Sequence, residues 1–467
     1  MPKSSAQLID MEKITLNEIA YALGAEVVGN ADITDICIDT RKITEGCLFI
    51  CIRGERFDAH SFAAEAAENG ASALMVDHRL DVDIPQVIVD DTSTAMLRLS
   101  NWYRRKFVLP VVGLTGSVGK TTTKEFIALV LGAKYKTLKT LGNLNNEIGV
   151  PQMLFRLDYS IEAAVIEMGM NHFNEIERLS NAVEPTVALI TNIGVSHIEN
   201  LGSREGILKA KTEILSGMHY GCPLILNGDD DMLSTVNLED KYPVIRYAVK
   251  NTADADFTAD DITENNGRTT FVVSYCDNTA KQEITIPTIG IHNVYNALAA
   301  FAVGYVCQVD SQAAADALAD YVPEGMRQKS VSFNGITCIE DCYNASPDSM
   351  KAALTTLSDT DGKRKIAVLA DMLELGDYSK QAHMSVGEMV AQNKLDYLFA
   401  YGEMSAYIVE KAKEMGMKNA FHFDNKEELC KNLIPVIEKG DTIVFKASRG
   451  MKLEDVINKV YEVKKND

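Results

Sequence analysis

The chain has no window approaching the ~20 consecutive apolar residues of a membrane span, and its opening, "MPKSSAQLIDMEK", has no apolar signal-peptide core. Both absences lead us to expect a cytoplasmic protein without a membrane span. Positive charge is also short: 46 Lys and Arg stand against 66 Asp and Glu, a formal net charge of −20. That balance argues against nonspecific nucleic-acid or anionic-membrane binding, so any anionic ligand must be held by local lysines, arginines, helix starts and metal. Cys47/Cys51 and Cys338/Cys342 lack the CxxC spacing of zinc or redox sites, and the nine cysteines are expected to be reduced packing residues in or near strands. No low-complexity linker divides the chain.

What is present is an ordinary globular composition, 46% hydrophobic and 24% charged. At 467 residues the chain is too long for one core, and two to four domains are expected. Residues 1–108 carry short strand-like runs ("DICIDT", "CLFICIRG", "ALMVD", "QVIVD") with helical stretches around "HSFAAEAAENG" and "STAMLRLSNWYRRKF", a small α/β unit. Residues 109–325 alternate "PVVGLT", "AAVIEMG", "TVALITNIG" and "PLILNGD" with helical segments, which predicts a parallel sheet with covering helices and an antiparallel insertion at "RTTFVVSY" and "EITIPTIG". Residues 326–467 repeat the alternation ("KIAVLADM", "YLFAYG", "AFHFD", "DTIVFKAS"), a doubly wound fold of their own without a GxGxxG dinucleotide fingerprint.

At the head of the second block stands "GLTGSVGKTTTKE", beginning at Gly113. A strict phosphate-binding loop wants a glycine where Leu114 stands, and the glycines here are Gly113, Gly116 and Gly119. The mechanism survives the misfit: a strand over 110–115, a loop with two glycines, and a helix opening at Lys120. A helix start offers unpaired N–H groups and a positive dipole end to an anion. Lys120 can add charge to the outer phosphates, and the Thr121 hydroxyl is placed to hold Mg2+. The alternative is a plain glycine-rich turn.

Glu167, after the apolar run "AAVI", puts a carboxylate at the carboxyl end of a parallel strand, and His197 follows the strand "TVALITNIG" at the same edge. Two metal ligands beside a phosphate loop suit Mg2+-ATP chemistry, although a lone loop histidine is more often structural. In "GILKAKTEILSGM", Lys209 and Lys211 fall on different helix faces, so one can be solvated while the other points inward. An inward lysine near metals is costly unless its charge changes. "NKLD" at Asn393 matches a guanine-reading tetrapeptide of switch GTPases, but it ends a helix and precedes a strand, so it reads as a chance match.

Together "TGSVGKTTTKE", "TLGNLNNEIGVP", "VIEMGMN", "TNIGVSHIENLGSREGILKAK", "NGDD" and "GIHNVYNALAA" resemble the Mur ligases of peptidoglycan synthesis, whose phosphate loop has this offset glycine spacing. The resemblance runs nearly end to end. "DTRKITEGCLFICIRGERFDAH" is similar to the family's uridine-nucleotide domain, and "DCYNASPDSM", "ADMLELG" and "FKASRGMKLE" to its last domain. "FDAH" and "GSVGK" depart from it by one residue each. "GNLNNEIGVP", "DCYNASP" and "DMLELG" resemble most the member that joins D-alanyl-D-alanine to UDP-N-acetylmuramoyl-tripeptide.

The resemblance implies a three-domain α/β fold, a central P-loop ATPase sheet between a UDP-substrate domain and a Rossmann-like domain that binds D-alanyl-D-alanine and closes on ATP. It implies an ATP-dependent amide ligase working through an acyl phosphate, with Mg2+, as a monomer. Family roles map onto Gly116, Ser117, Gly119, Lys120, Thr121 and Thr122 for the phosphates, and Asn146 near the reacting phosphate. Thr121, Glu167, His197 and a carbamylated Lys211 would serve metals. Asn293 and Asn296 would serve the adenine, and Arg327 and Asp341 would reach the nucleotide from the last domain. Thr40, Arg41 and Asn344 are the substrate contacts. Folylpolyglutamate synthetase shares the ATP core but would not use a uridine-nucleotide domain, and a switch GTPase is the rival outside the ligases.

Overall fold

The computed structural model describes residues 11–54, 57–238, 240–265, 267–323 and 325–465. Beside a small antiparallel pair, Ile14–Thr15 with Asp32–Ile33, three larger sheets follow one another along the chain, each from its own stretch of alternating strands and helices. In the first, Glu26–Val28, Gln86–Ile88, Ala73–Val76, Cys47–Ile50 and Asp35–Cys37 lie side by side in that order, parallel except for the Glu26–Val28 edge. Its inner strands are buried on both faces, which is why they read as unbroken apolar runs.

The second sheet has nine strands. Thr137–Lys139, Ala163–Glu167, Val111–Thr115, Val187–Ile190, Leu224–Asn227, Val244–Ala248 and Phe257–Asn265 run parallel. The stretch expected as an antiparallel insertion is antiparallel and extends this same sheet: Arg268–Tyr275 and Ala280–Ile286 are its last two strands. The physical reason is that Phe271, Val273, Ile284 and Ile286 are needed to cover the helices Ile291–Val306 and Ser311–Ala319, so the hairpin cannot stand apart. Val111–Thr115 lies between Ala163–Glu167 and Val187–Ile190. After it the chain moves first to one side of the sheet and later to the other, so its carboxyl end opens on the crevice where ligands of such sheets collect.

The last sheet orders Lys329–Phe333, Ile336–Asp341, Asp441–Lys446, Arg364–Ala370, Tyr397–Tyr401 and Ala420–Phe423, parallel apart from the first. Successive strand residues point to opposite faces, and both faces are covered: Ala367 and Leu369 join one apolar cluster, Ile366, Val368 and Ala370 another. This is the doubly wound arrangement. "NKLD" sits between the helix Ser379–Gln392 and the strand Tyr397–Tyr401, and the Asn393 amide caps that helix by donating to Met389 O.

The apolar clusters also tell how the units join. One core runs without a break from the first sheet (Leu48, Ile50, Met75, Val87) through the helix Thr92–Arg104 (Met96, Leu99, Tyr103) into one face of the central sheet (Val111, Ala164, Ile166). The last unit keeps its two clusters to itself. No helix among the described residues is long and apolar enough to cross a membrane. All nine cysteines are free, and Cys37, Cys47, Cys51, Cys307, Cys338 and Cys342 are buried.

Candidate functional site

The strand Val111–Thr115 runs into a loop that turns at Gly119, φ 82°, and opens the helix Lys120–Gly132. Gly119 must be glycine on two counts: its left-handed backbone, and the 2.8 Å that would separate a Cβ there from Asn296 Oδ1. Neighbouring chain fixes the loop. Ser117 N–H donates to Asn192 O (3.0 Å), Val118 N–H to Asn192 Oδ1 (3.0 Å), and Ser117 Oγ accepts from Gly194 N–H (2.8 Å). No side chain caps the helix start, so its first N–H groups stay available to an anion. Lys120 Nζ donates to Gly116 O at 2.8 Å. Burial lowers its pKa, and nearby Glu167 works in the opposite direction.

Glu167 ends the neighbouring strand with its side chain inward, 2% exposed. Its Oε2 accepts from Thr121 Oγ1 (3.1 Å) and its Oε1 from Asn145 Nδ2 (2.8 Å). Both partners are neutral. A buried carboxylate that has a hydroxyl and an amide but no cation at hydrogen-bond distance is suited to a hard divalent ion. Asn146, expected near the reacting phosphate, lines the same cavity, but its Oδ1 accepts from Ile148 N–H (3.2 Å) and Gly149 N–H (2.8 Å) at the start of the helix Gly149–Leu154. The residue that reaches Glu167 is its neighbour, Asn145. Spacing in "NLNNEIG" could not separate the two.

The helix Arg204–Thr212 divides its lysines as expected: Lys209 is exposed, its ammonium 5.6 Å from the Phe173 ring centre, and Lys211 is 2% exposed. Glu205 and Glu213 do not pair with Lys211. The Glu213 carboxylate instead accepts from the N–H groups of Asn174 and Glu177. Burial pushes the Lys211 ammonium well below its ordinary pKa, and Lys120 adds to the effect. His197 has a left-handed backbone, φ 63°, and burial with the charges of Lys120 and Lys211 lowers its pKa to about 4, so the imidazole is neutral at pH 7.

These groups share one cavity of about 550 Å3, and its opposite wall comes from the last sheet. The Arg327 guanidinium lies 3.6 Å from the Tyr343 ring centre. Asp341 pairs with buried Lys446 (2.9 Å), whose Nζ also donates to Asn344 O (2.6 Å). Asn293 and Asn296, on the helix Ile291–Val306, are buried and linked to each other, Asn296 Nδ2 donating to Asn293 Oδ1 (3.3 Å). Ser117, Thr122 and Asn344 also line the cavity.

Thr40 and Arg41 lie elsewhere, in the short turn Thr40–Lys42 of the first unit, where Arg41 pairs with Asp39 (2.7 Å) and is otherwise exposed. The same unit holds a cluster of His60, Asp77 and His78, but Arg53 pairs with Asp77 (2.9 Å) and Asp77 N–H donates to His60 Nε2 (3.1 Å), so these groups satisfy one another. Residues of the cavity wall that sequence reasoning missed are Asn145, Tyr343, Glu374 and Lys446. The motifs "GNLNNEIGVP", "DCYNASP", "DMLELG" and "FKASRG" marked the regions that carry these four, but nothing in the motifs singled the four residues out.

Comparison with known proteins agrees with this geometry. The Mur ligase family catalytic domain matches residues 32–104, the Mur ligase middle domain 114–304, and the Mur ligase glutamate ligase domain 326–449. The UDP-N-acetylmuramoyl-tripeptide--D-alanyl-D-alanine ligase of Bacillus subtilis is 39% identical over 91% of this chain and 93% of its own. The crystal structure of MurF from Acinetobacter baumannii superposes with a TM-score of 0.91 at 32% identity, covering 97% of this chain and 99% of that one. MurF ligase from Thermotoga maritima, solved in complex with ADP, gives 0.82 at 27% identity, covering 93% and 98%. With its phosphate loop, buried carboxylate and split cavity, and with all three family domains in order, the chain belongs to the Mur ligase family of ATP-dependent ligases.

Proposed function

We propose that the chain joins D-alanyl-D-alanine to UDP-N-acetylmuramoyl-tripeptide in peptidoglycan precursor synthesis. A carboxylate is a poor electrophile, so it is activated first: its oxygen attacks the γ-phosphorus of ATP, ADP leaves, and an acyl phosphate results. The dipeptide amine then attacks the acyl carbon, phosphate departs, and the amine loses its proton as the amide forms. The observation that carries this reading is the contact between Thr121 and Glu167 (3.1 Å), which sets a buried carboxylate at the opening of the phosphate-loop helix.

In this scheme the loop from Gly116 to Gly119 and the N–H groups of Lys120, Thr121 and Thr122 hold the ATP phosphates, and Lys120 meets the charge that builds on the transferring phosphoryl. Asn146 stands beside that phosphoryl, Asn293 and Asn296 face the adenine, and Arg327 and Asp341 close on the nucleotide from the last domain. Thr121, Glu167, His197 and Lys211 would hold Mg2+, which supplies charge neutralisation when bound. Lys211 fits that set as a carbamate: a neutral buried amine adds carbon dioxide, a proton leaves to solvent, and the product is an anion with two hard oxygens. Thr40 and Arg41 serve the UDP end, and Asn344 the dipeptide. The working form is read as a monomer, and nine free cysteines suit the cytoplasm.

Hydroxylamine tests the activation step. With ATP, Mg2+ and UDP-tripeptide but no dipeptide, the enzyme should yield the tripeptide hydroxamate in step with ADP. Amide synthesis by an enzyme that never forms the hydroxamate would exclude a trappable acyl phosphate.

A further inference from the structure

The second substrate of such a ligase carries an amine, and an α-amine with a pKa near ~8 arrives chiefly as an ammonium. Four cationic side chains line the cavity, Lys120, Lys211, Arg327 and Lys446, suited to phosphates and carboxylates. Four carboxylates also face it: Glu167, Glu175, Asp341 and Glu374. Three are already engaged. Glu167 accepts from Thr121 and Asn145, Glu175 from Asn171 N–H (2.7 Å), and Asp341 pairs with Lys446.

Glu374 differs. Among the described residues its one ion-pair contact is with His197 Nδ1 at 3.5 Å, past the length of a good hydrogen bond, and its side chain is 71% exposed at the edge of the cavity. It nonetheless sits on a fixed loop. Met372 N–H donates to His383 Nε2 (3.0 Å), Leu373 N–H to Ser448 Oγ (3.0 Å), and the Asp371 carboxylate accepts from Ser405 N–H (2.7 Å). Met372 and Leu375 are buried on either side. Within this frame Glu374 takes a left-handed backbone, φ 63°, a conformation that costs a non-glycine residue free energy and persists where the surroundings impose it. The loop turns an unclaimed negative charge from the last unit toward His197.

We propose that Glu374 recognises the ammonium group of the incoming dipeptide, holding the nucleophilic nitrogen beside the edge of the central sheet where the acyl group is activated. This rests on the ligase reading above and adds the residue that selects for a free amine.

The test is steady-state kinetics of the full-length enzyme and Glu374→Gln, which keeps the shape and removes the charge. KM for D-alanyl-D-alanine should rise about tenfold or more, the range for a lost charge-assisted hydrogen bond. KM for ATP and for UDP-tripeptide should stay within about twofold of wild type. N-propanoyl-D-alanine, which lacks the amine, should inhibit both proteins equally. A dipeptide KM within twofold of wild type overturns the proposal, and so does a parallel rise in all three KM values, which would mark Glu374 as a closure contact. A wild-type enzyme that does not ligate D-alanyl-D-alanine would instead refute the ligase reading itself.

Discussion

The central unit meets its two neighbours in opposite ways. Toward the first unit the junction is a continuous apolar core, crossed by Tyr103, whose hydroxyl accepts from Glu12 N–H (2.7 Å) and donates to Leu157 O (2.7 Å). Toward the last unit the contacts are polar and few: His292 and Asn293 both reach Gln328 Oε1 (2.7 and 3.0 Å), Val195 N–H reaches Asp348 (3.4 Å), and His197 faces Glu374. An apolar core of that extent resists separation, whereas a polar seam can open to water and re-form at small cost. We therefore propose that the first two units make a platform and that the last is the part that moves.

The largest effect should come from the platform's own chemistry. Lys120→Ala removes charge from the outer phosphates without touching core packing, so turnover should fall by roughly a thousandfold or more while the melting temperature holds. Activity within about threefold of wild type would remove Lys120 from the phosphate site. Lys211→Ala should likewise abolish turnover without unfolding, acetate should restore part of it by filling the vacated anionic place, and Lys209→Ala should do little. If only Lys209→Ala is inactive, the carbamate assignment is wrong.

Stability should separate the two junctions next. Tyr103→Ala opens a cavity in the shared core and should cost about 3–5 kcal/mol in denaturant unfolding, with the first and central units melting together. Gln328→Ala at the polar seam should cost under about 1 kcal/mol. Equal costs would erase the distinction between platform and mobile unit. Small-angle scattering sharpens the same point, because ATP with UDP-tripeptide should reduce the radius of gyration by drawing the last unit inward. The smallest stability change concerns Asn146→Ala, whose lost backbone contacts should cost about 1 kcal/mol, while both Asn146→Ala, beside the phosphoryl, and Asn145→Ala, through Glu167, should lower turnover. If Asn146→Ala keeps wild-type turnover, its place beside the phosphoryl is wrong; if Asn145→Ala keeps it, the contact with Glu167 does not serve the reaction.

The same contrast explains what could be read from the residues. The parallel strands of the central and last sheets, the loop opening at Lys120 and the division of Lys209 and Lys211 between two helix faces rest on local patterns: apolar runs, glycines beside a Lys-Thr pair, and helical spacing. That Lys211 is the inward one was legible only through the family resemblance. The three-domain ligase fold was legible through the family motifs. What escaped notice joins distant segments. Asn145 was indistinguishable from Asn146 until the chain placed Glu167 opposite it, and Lys446 gained meaning only beside Asp341, more than a hundred residues earlier. The antiparallel strands Arg268–Tyr275 and Ala280–Ile286 were legible as such, but not that they continue the central sheet through Phe257–Asn265 and cover its helices.

The central claim is that this cavity condenses a carboxylate with an amine at the expense of ATP. It is tested most directly by phosphate release and product mass with ATP, Mg2+ and D-alanyl-D-alanine against a panel of UDP-linked acceptors. The account predicts one phosphate and one amide per ATP with UDP-N-acetylmuramoyl-tripeptide, and neither with UDP-N-acetylmuramate. Phosphate release without an amide, or an amide formed only with a different acceptor, would contradict it.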